Sequence, residues 1–170
     1  DLEGLLGERP HWGRFWEHAD LTGAERAMLL LKRQDVRNAL QAYGETADNF
    51  SLIHADLDPA NIVRHGDDLA LIDFDDSAYG WHLYDIASVL IEYRSKPDFD
   101  ALSAALLDGY RERRLLRKQD IEMLPTFLLI RGMALIGWYH QRPEHADAEY
   151  FEELKNWILD ASSPGGEAGP

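Results

Sequence analysis

The stretch from Leu52 to Asp76, LIHADLDPANIVRHGDDLALIDFDD, constrains the fold more than any other part of the chain. Short apolar runs alternate there with turn formers, and the tetrapeptide HGDD at 65–68 reads as a tight turn. The pattern predicts a short strand over Phe50–His54, then a β-hairpin with strands Asn61–Arg64 and Leu69–Phe74. The same region is loaded with acids. Between His54 and Asp85, eight carboxylates (Asp56, Asp58, Asp67, Asp68, Asp73, Asp75, Asp76 and Asp85) face Arg64 alone. Carboxylates gathered in this way repel one another unless a cation lies among them. Loops held on rigid elements are also where chemistry concentrates.

Helical spacing accounts for most of the remainder. Thr22-Gly23-Ala24-Glu25 is a capping-box pattern. It predicts a helix to about Tyr43, with Leu29, Val36, Leu40 and Tyr43 on one face and Gly44 as its stop. Leu83, Ile86, Ala87 and Leu90 predict a helix after Gly80; Phe99, Leu102, Leu106 and Tyr110 predict another behind an Asp98 cap. A long apolar helix is expected over roughly 124–141, with Pro125 in its first turn. Tyr150, Leu154, Trp157 and Ile158 mark a last one. The fold class expected is therefore α+β and mainly helical. Residues 1–161 are read as one lobe, and the Gly/Pro-rich SSPGGEAGP at 162–170 as a disordered tail.

The spacing His54-x-Asp56-x-x-x-x-Asn61, followed eleven residues later by Ile72-Asp73-Phe74, carries chemistry. Antiparallel partners lie about 5 Å apart, so the hairpin is expected to bring Asn61 and Asp73 together at its mouth. One amide oxygen and one carboxylate suit a hard cation such as Mg²⁺, which takes few protein ligands and leaves room for phosphate oxygens. Asp56 is then placed near the metal but off it, where a base or an orienting group for an attacking hydroxyl belongs. The order of parts is that of kinase phosphoryl transfer.

LIHADLDPANIV and LALIDFDDSAYGWHLYDIASVL resemble the aminoglycoside phosphotransferase and choline kinase-like family, and within it the homoserine kinase type II-like phosphotransferase group. HWGRFWEHADLTGAERAMLL, upstream, is similar to that group as well. The resemblance covers roughly residues 10–160. It implies the carboxy-terminal lobe of a protein-kinase-like fold, in which the small hairpin carries the catalytic loop. It also implies an ATP-dependent, Mg²⁺-requiring kinase of small molecules. Asp56 matches the catalytic aspartate, and Asn61 and Asp73 match the two metal ligands. His54 matches a structural loop histidine, and Asp85 an aspartate that buttresses the loop. The family commonly has a histidine where this chain has Asp58. Asp58, Asp75 and Asp76 are kept as candidate contacts to substrate or metal, beside a plain reading as solvated turn residues. No Gly-rich phosphate loop is found, and none of the four lysines, Lys32, Lys96, Lys118 and Lys155, falls where the family's ATP lysine is expected. The amino-terminal lobe, which holds most of the nucleotide clamp, is thus expected to be absent from this chain.

The remaining expectations are coarser. The formal net charge of −14 argues against a nucleic-acid or anionic-membrane surface. No stretch of membrane-spanning length is read, FLLIRGMALIGWY being broken by Arg131. The chain has no cysteine, which excludes disulfides and thiolate zinc sites and fits a reducing cytoplasm. A small-molecule hydroxyl acceptor is the partner expected. The acidic surroundings lean toward an amine-bearing one, and the oligomeric state is not legible. Trp81, Tyr84, Tyr93, Trp138 and Tyr139 are read as core before pocket, and Arg131 as needing a partner if buried. Two other functions compete: a catalytically incomplete, pseudokinase-like binding module, and a metal-dependent hydrolase built on His54, Asp56, Asp73 and His82.

Overall fold

The computed structural model describes residues 1–145 and 147–162. The disordered tail expected at 162–170 lies, from Ser163 on, outside the described residues. The part expected as one lobe clusters as two compact units: residues 1–44 with 129–170, and residues 45–128.

The first unit is helical. Asp1 caps the short helix α1 (Leu2–Leu6) by accepting from the Gly4 N–H at 2.7 Å. Helix α2 (Gly23–Tyr43) starts at the expected capping box. The Glu25 N–H donates to Thr22 Oγ1, and the Thr22 N–H returns a bond to Glu25 Oε2. It stops at Gly44, whose φ of 70° is the left-handed value glycine tolerates past a helix end. Leu29, Val36 and Leu40 are buried on its inner face. Helix α6 (Ala148–Asp160) packs against α2 with Phe151, Leu154 and Ile158 buried, and Asp147 caps it.

Two buried lysines belong to this core. Lys32 donates to the Ala161 carbonyl. Lys155 Nζ lies 2.8 Å from both Glu25 Oε1 and Glu152 Oε1. Burial alone pushes the Lys155 pKa down, but the hydrogen bonds to Glu152 and Glu25 outweigh it and hold the ammonium above its ordinary value. The same bond, with those from Thr22, lowers the Glu25 pKa to about 2. A carboxylate whose folded pKa lies below its unfolded value adds stability above the unfolded pKa and loses it as pH falls through the folded one. The contribution of Glu25 is therefore complete above about pH 4.5 and fades toward about pH 2. Circular-dichroism melts across that window should show Glu25→Gln losing less stability with acid than the parent. Parallel pH profiles would remove the pair from the account.

The second unit holds all the strands. β1 (Phe50–Ile53) pairs antiparallel with β4 (Ala78–Trp81), Phe50 opposite Trp81 and Ile53 opposite Ala78. β2 (Ile62–His65) and β3 (Asp68–Leu71) form the expected hairpin, with Gly66 at φ 64° as the first residue of its two-residue turn. β4 was not anticipated. It is too short for alternation to show, and Gly80 lies close against Ile53: a Cβ there would come within 2.5 Å of Ile53 Cδ1 and push that side chain aside. β3 also ends at Leu71 and not at Phe74, because Asp73 takes φ 63°, which no extended strand accommodates. Helix α3 (His82–Leu90) follows β4 and packs on both strands of that pair. Trp81, Tyr84, Ile86, Ala87 and Leu90 are buried, so the core reading of Trp81 and Tyr84 holds. Phe50 and Phe127 meet Trp81 at ring distances of 5.2 and 6.1 Å. Helix α4 (Phe99–Arg111) starts at Asp98, whose side chain makes no capping bond.

Helix α5 (Lys118–Gln141) corrects two expectations. It begins two turns before residue 124, because Asp120 accepts from the Arg117 N–H at 2.6 Å and fixes the first turn there. Pro125 therefore sits inside the helix, not in its first turn. By length and composition α5 could also cross a membrane, contrary to the absence of any such stretch expected from sequence; 67% of the qualifying window is buried within the protein, the mark of a core helix. Arg131 is buried within it.

Candidate active site

The candidate site is the loop between β1 and β2 together with the segment after β3, all within residues 45–128. Asp85, in the first turn of α3, holds the start of the loop. Its Oδ2 accepts from the His54 N–H at 2.8 Å and its Oδ1 from the Ala55 N–H at 2.9 Å. Both amides are buried with their residues, so they need such partners. The clamp forces Ala55 to φ 65°, a conformation rare for a residue with a Cβ, and the turn it makes aims the chain into Asp56.

From Asp56 the loop is closed on itself. The Asp56 carbonyl accepts from the Asp58 N–H at 2.8 Å and from Asn61 Nδ2 at 3.0 Å. Asp58 Oδ1 caps the 3₁₀ turn Pro59–Asn61 by accepting from the Ala60 N–H, with Pro59 at the first position. The capping explains why β2 starts at Ile62 and not at Asn61. Since Asn61 spends its NH₂ on the Asp56 carbonyl, its Oδ1 is the oxygen presented on the other side of the amide.

The segment after β3 is tied to this loop twice. The Ile72 N–H donates to the Asn61 carbonyl at 3.0 Å, one step beyond the end of the ladder. His54 Nε2 lies 2.8 Å from the Ile72 carbonyl. A carbonyl only accepts, so Nε2 is the donor, and Nδ1 has no hydrogen-bond partner. The ring of Phe74 packs against the same histidine at 4.6 Å. Asp73 stands between these anchors at its strained φ, exposed, with no hydrogen bond or ion pair among the described residues.

The structure thus joins His54, Asp56, Asn61 and Asp85 by hydrogen bonds, with Asp58 serving as a cap, and ties in Ile72, the residue before Asp73. Asp75 is exposed and Asp76 half-buried in the turn that follows. The set that a hydrolase would use is not assembled. His82 Nε2 lies 2.7 Å from Ser51 Oγ. Burial, and then the charge of Arg114, hold the His82 pKa below the usual histidine value. No three His, Asp or Glu side chains lie close enough to share a metal among the described residues. What the site offers a cation is one amide oxygen and one carboxylate, both hard donors that suit Mg²⁺ with its remaining positions left to water or phosphate. Sequence reasoning missed the Ile72 carbonyl and Ala55. A main-chain acceptor has no residue signature, and nothing about an alanine announces a positive φ.

Comparison with known proteins gives a consistent picture. Residues 2–119 match the model of the phosphotransferase enzyme family. A homoserine kinase of Chelativorans sp. (strain BNC1) is 38% identical over 129 residues, 73% of this chain and 39% of that protein. The solved structure of a microcompartment-associated aminopropanol kinase superposes with a TM-score of 0.79 at 30% identity, covering 93% of this chain and 49% of that one. The amicoumacin kinase hAmiN, solved with AMP-PNP, Ca²⁺ and its ligand Ami, gives 0.67 at 25% identity over 82% and 46%. The chain spans less than half the length of each of these three proteins.

Proposed function

The chain belongs to the phosphotransferase enzyme family, and from that premise we propose that it carries the catalytic and metal-holding groups of an ATP-dependent kinase that phosphorylates a hydroxyl on a small molecule. The observation that carries this reading is the set of hydrogen bonds that ties the loop bearing Asp56 and Asn61 to Asp85 and to Ile72, the residue before Asp73. Such positioning is what phosphoryl transfer asks of a protein, since the reaction needs little covalent help and much orientation.

Asp56 orients the acceptor hydroxyl and takes its proton. Asn61 Oδ1 and the Asp73 carboxylate are the groups that would hold Mg²⁺. When bound with ATP, the ion supplies neutralisation of charge on the transferred phosphoryl group. His54 and Asp85 position the loop. Asp58 acts through its cap, and Asp75 and Asp76 are the acids nearest in sequence to Asp73 that could meet a cationic substrate. The acceptor class we favour is an amino-alcohol or another amine-bearing metabolite. It rests on the eight acids between His54 and Asp85 and on the substrates named for the relatives, homoserine and aminopropanol.

The test is to incubate the natural polypeptide that contains this chain with Mg²⁺-ATP and a panel of amino-alcohols. A product one phosphate heavier is then sought by mass spectrometry. Its appearance supports the reading. ATP binding with no product from the panel or from a metabolite extract would favour the second reading, a binding module. One observation favours that alternative: Leu69, Leu71, Ile72 and Phe74 on and after the hairpin are all exposed, an apolar surface of the kind that docks a partner.

Removing a metal ligand should be visible apart from the chemistry. Asp73→Asn keeps the shape of the side chain and loses its charge. The Mg²⁺ concentration needed for half-maximal activity should rise at least tenfold, by comparison with the ten- to hundredfold that even outer-shell partners of metals are worth. An unchanged Mg²⁺ dependence would take Asp73 out of the metal site.

A further inference from the structure

A cavity of about 230 Å³ lies within residues 45–128, on the α3 and α4 side of the catalytic loop. Its walls are apolar: Leu52, Ile53, Leu57, Ile86, Val89 and Leu106. Its polar groups are His82, Asp85, Tyr110 and Arg114. A cavity of about 150 Å³ lined by such side chains stays dry and takes up benzene. This one has room for a single ring or a branched chain with a small polar head.

The polar groups differ in what they have left to offer. His82 Nε2 is engaged with Ser51, and each Asp85 oxygen already accepts a loop N–H. The Tyr110 hydroxyl and the Arg114 guanidinium make no hydrogen bond or ion pair to any described residue. Two donors, one of them cationic, therefore face a hollow of apolar walls and call for an acceptor with negative charge. Burial first, and the charges of Asp85 and Asp120 with it, raise the Tyr110 pKa against the opposing pull of Arg114. The phenol thus stays a donor, and the field at the site is too mixed to welcome a dianion such as phosphate.

We propose that this cavity is a regulatory binding site for a monocarboxylate with an aromatic or branched aliphatic body, its carboxylate held by Tyr110 and Arg114. The coupling to the catalytic loop is built into the walls. Asp85 is the residue that clamps the His54 and Ala55 amides, and Leu57 follows Asp56 directly. A ligand packed against both steadies the loop in its clamped form. Asp56, Asn61 and Asp73 do not line this cavity, and its occupancy does not depend on phosphoryl transfer.

Phenylacetate is the probe. Calorimetric titration into the chain should give saturable one-to-one binding, and amide hydrogen exchange at His54 and Ala55 should slow on addition. Arg114 is exposed, so Arg114→Gln should fold normally and weaken binding at least tenfold, which is 1.4 kcal/mol. Leu106→Trp, which fills the hollow, should abolish binding while melting like the parent. Benzyl alcohol, the same ring without the charge, should bind at least tenfold more weakly. The proposal fails if millimolar phenylacetate gives no saturable heat, if Arg114→Gln binds as the parent does, or if inorganic phosphate binds as well as phenylacetate.

Discussion

Asp56→Asn, made in the natural polypeptide that contains this chain, should lower turnover roughly a hundred- to ten-thousandfold, the range lost with a general base, while nucleotide affinity stays close to the parent value. The substitution separates chemistry from architecture. The loop takes the carbonyl of residue 56, which accepts from the Asp58 N–H and from Asn61 Nδ2. Asparagine keeps that carbonyl and nearly the same side-chain volume, but loses the charge and with it the ability to take a proton. Turnover and nucleotide affinity are the two measurements, by product mass and by calorimetry. Full rate in the variant would remove Asp56 as the base. A fall in nucleotide affinity matching the fall in rate would instead assign it to binding.

The sequence was readable where a physical rule ties a residue type to a conformation. Thr22 and Glu25 can satisfy each other's backbone only at a helix start, and they do. Gly66 is where a two-residue hairpin turn needs a positive φ, and Gly44 where a helix needs to stop. Asp56, Asn61 and Asp73 stood out as candidates for another reason. An amide and two carboxylates at that spacing around a hairpin are costly to gather without a cation, so their pattern carries information that a core position lacks.

The unread parts are those in which tertiary context overrides local preference. β4 is four residues long, and its pairing with β1 joins segments far apart in the chain, Ser51 opposite Gly80 and Leu52 opposite Tyr79 among them. Pro125 lies inside α5 although it removes a helical hydrogen bond, because the apolar residues around it, Leu124, Phe127 and Leu128, are buried. The division into two compact units, with α5 running from one into the other, leaves no compositional boundary in the chain. The strained backbone at Ala55 and Asp73 could not be foreseen either, since Ala55 and Ile72, the residue before Asp73, are held by hydrogen bonds between residues 30 and 18 positions apart.

Asp85 is where that long-range dependence can be measured, and Asp85→Ala should be the most destabilising single change at the site. Both of its oxygens are spent on the His54 and Ala55 amides. Each buried amide left without an acceptor costs about 1–3 kcal/mol, so the pair should cost about 2–6 kcal/mol, a large part of the stability of an ordinary domain. With the clamp gone, Ala55 loses the hydrogen bond that holds its N–H at φ 65°, and the loop should relax toward ordinary backbone. Asp85→Asn tells the two halves of the clamp apart. The amide keeps one oxygen, so it should recover part of the stability but hold only one of the two N–H groups. Thermal melts give the first quantity, and amide exchange at His54 and Ala55 gives the second. If the alanine variant melts within a degree of the parent and both amides stay protected, the clamp is incidental and the loop is held from elsewhere. If stability falls while turnover per folded molecule stays constant, Asp85 supports the fold without positioning Asp56. The arrangement predicts that the two fall together, because the residue that satisfies the buried amides is also the one that sets the direction in which Asp56 leaves the strand.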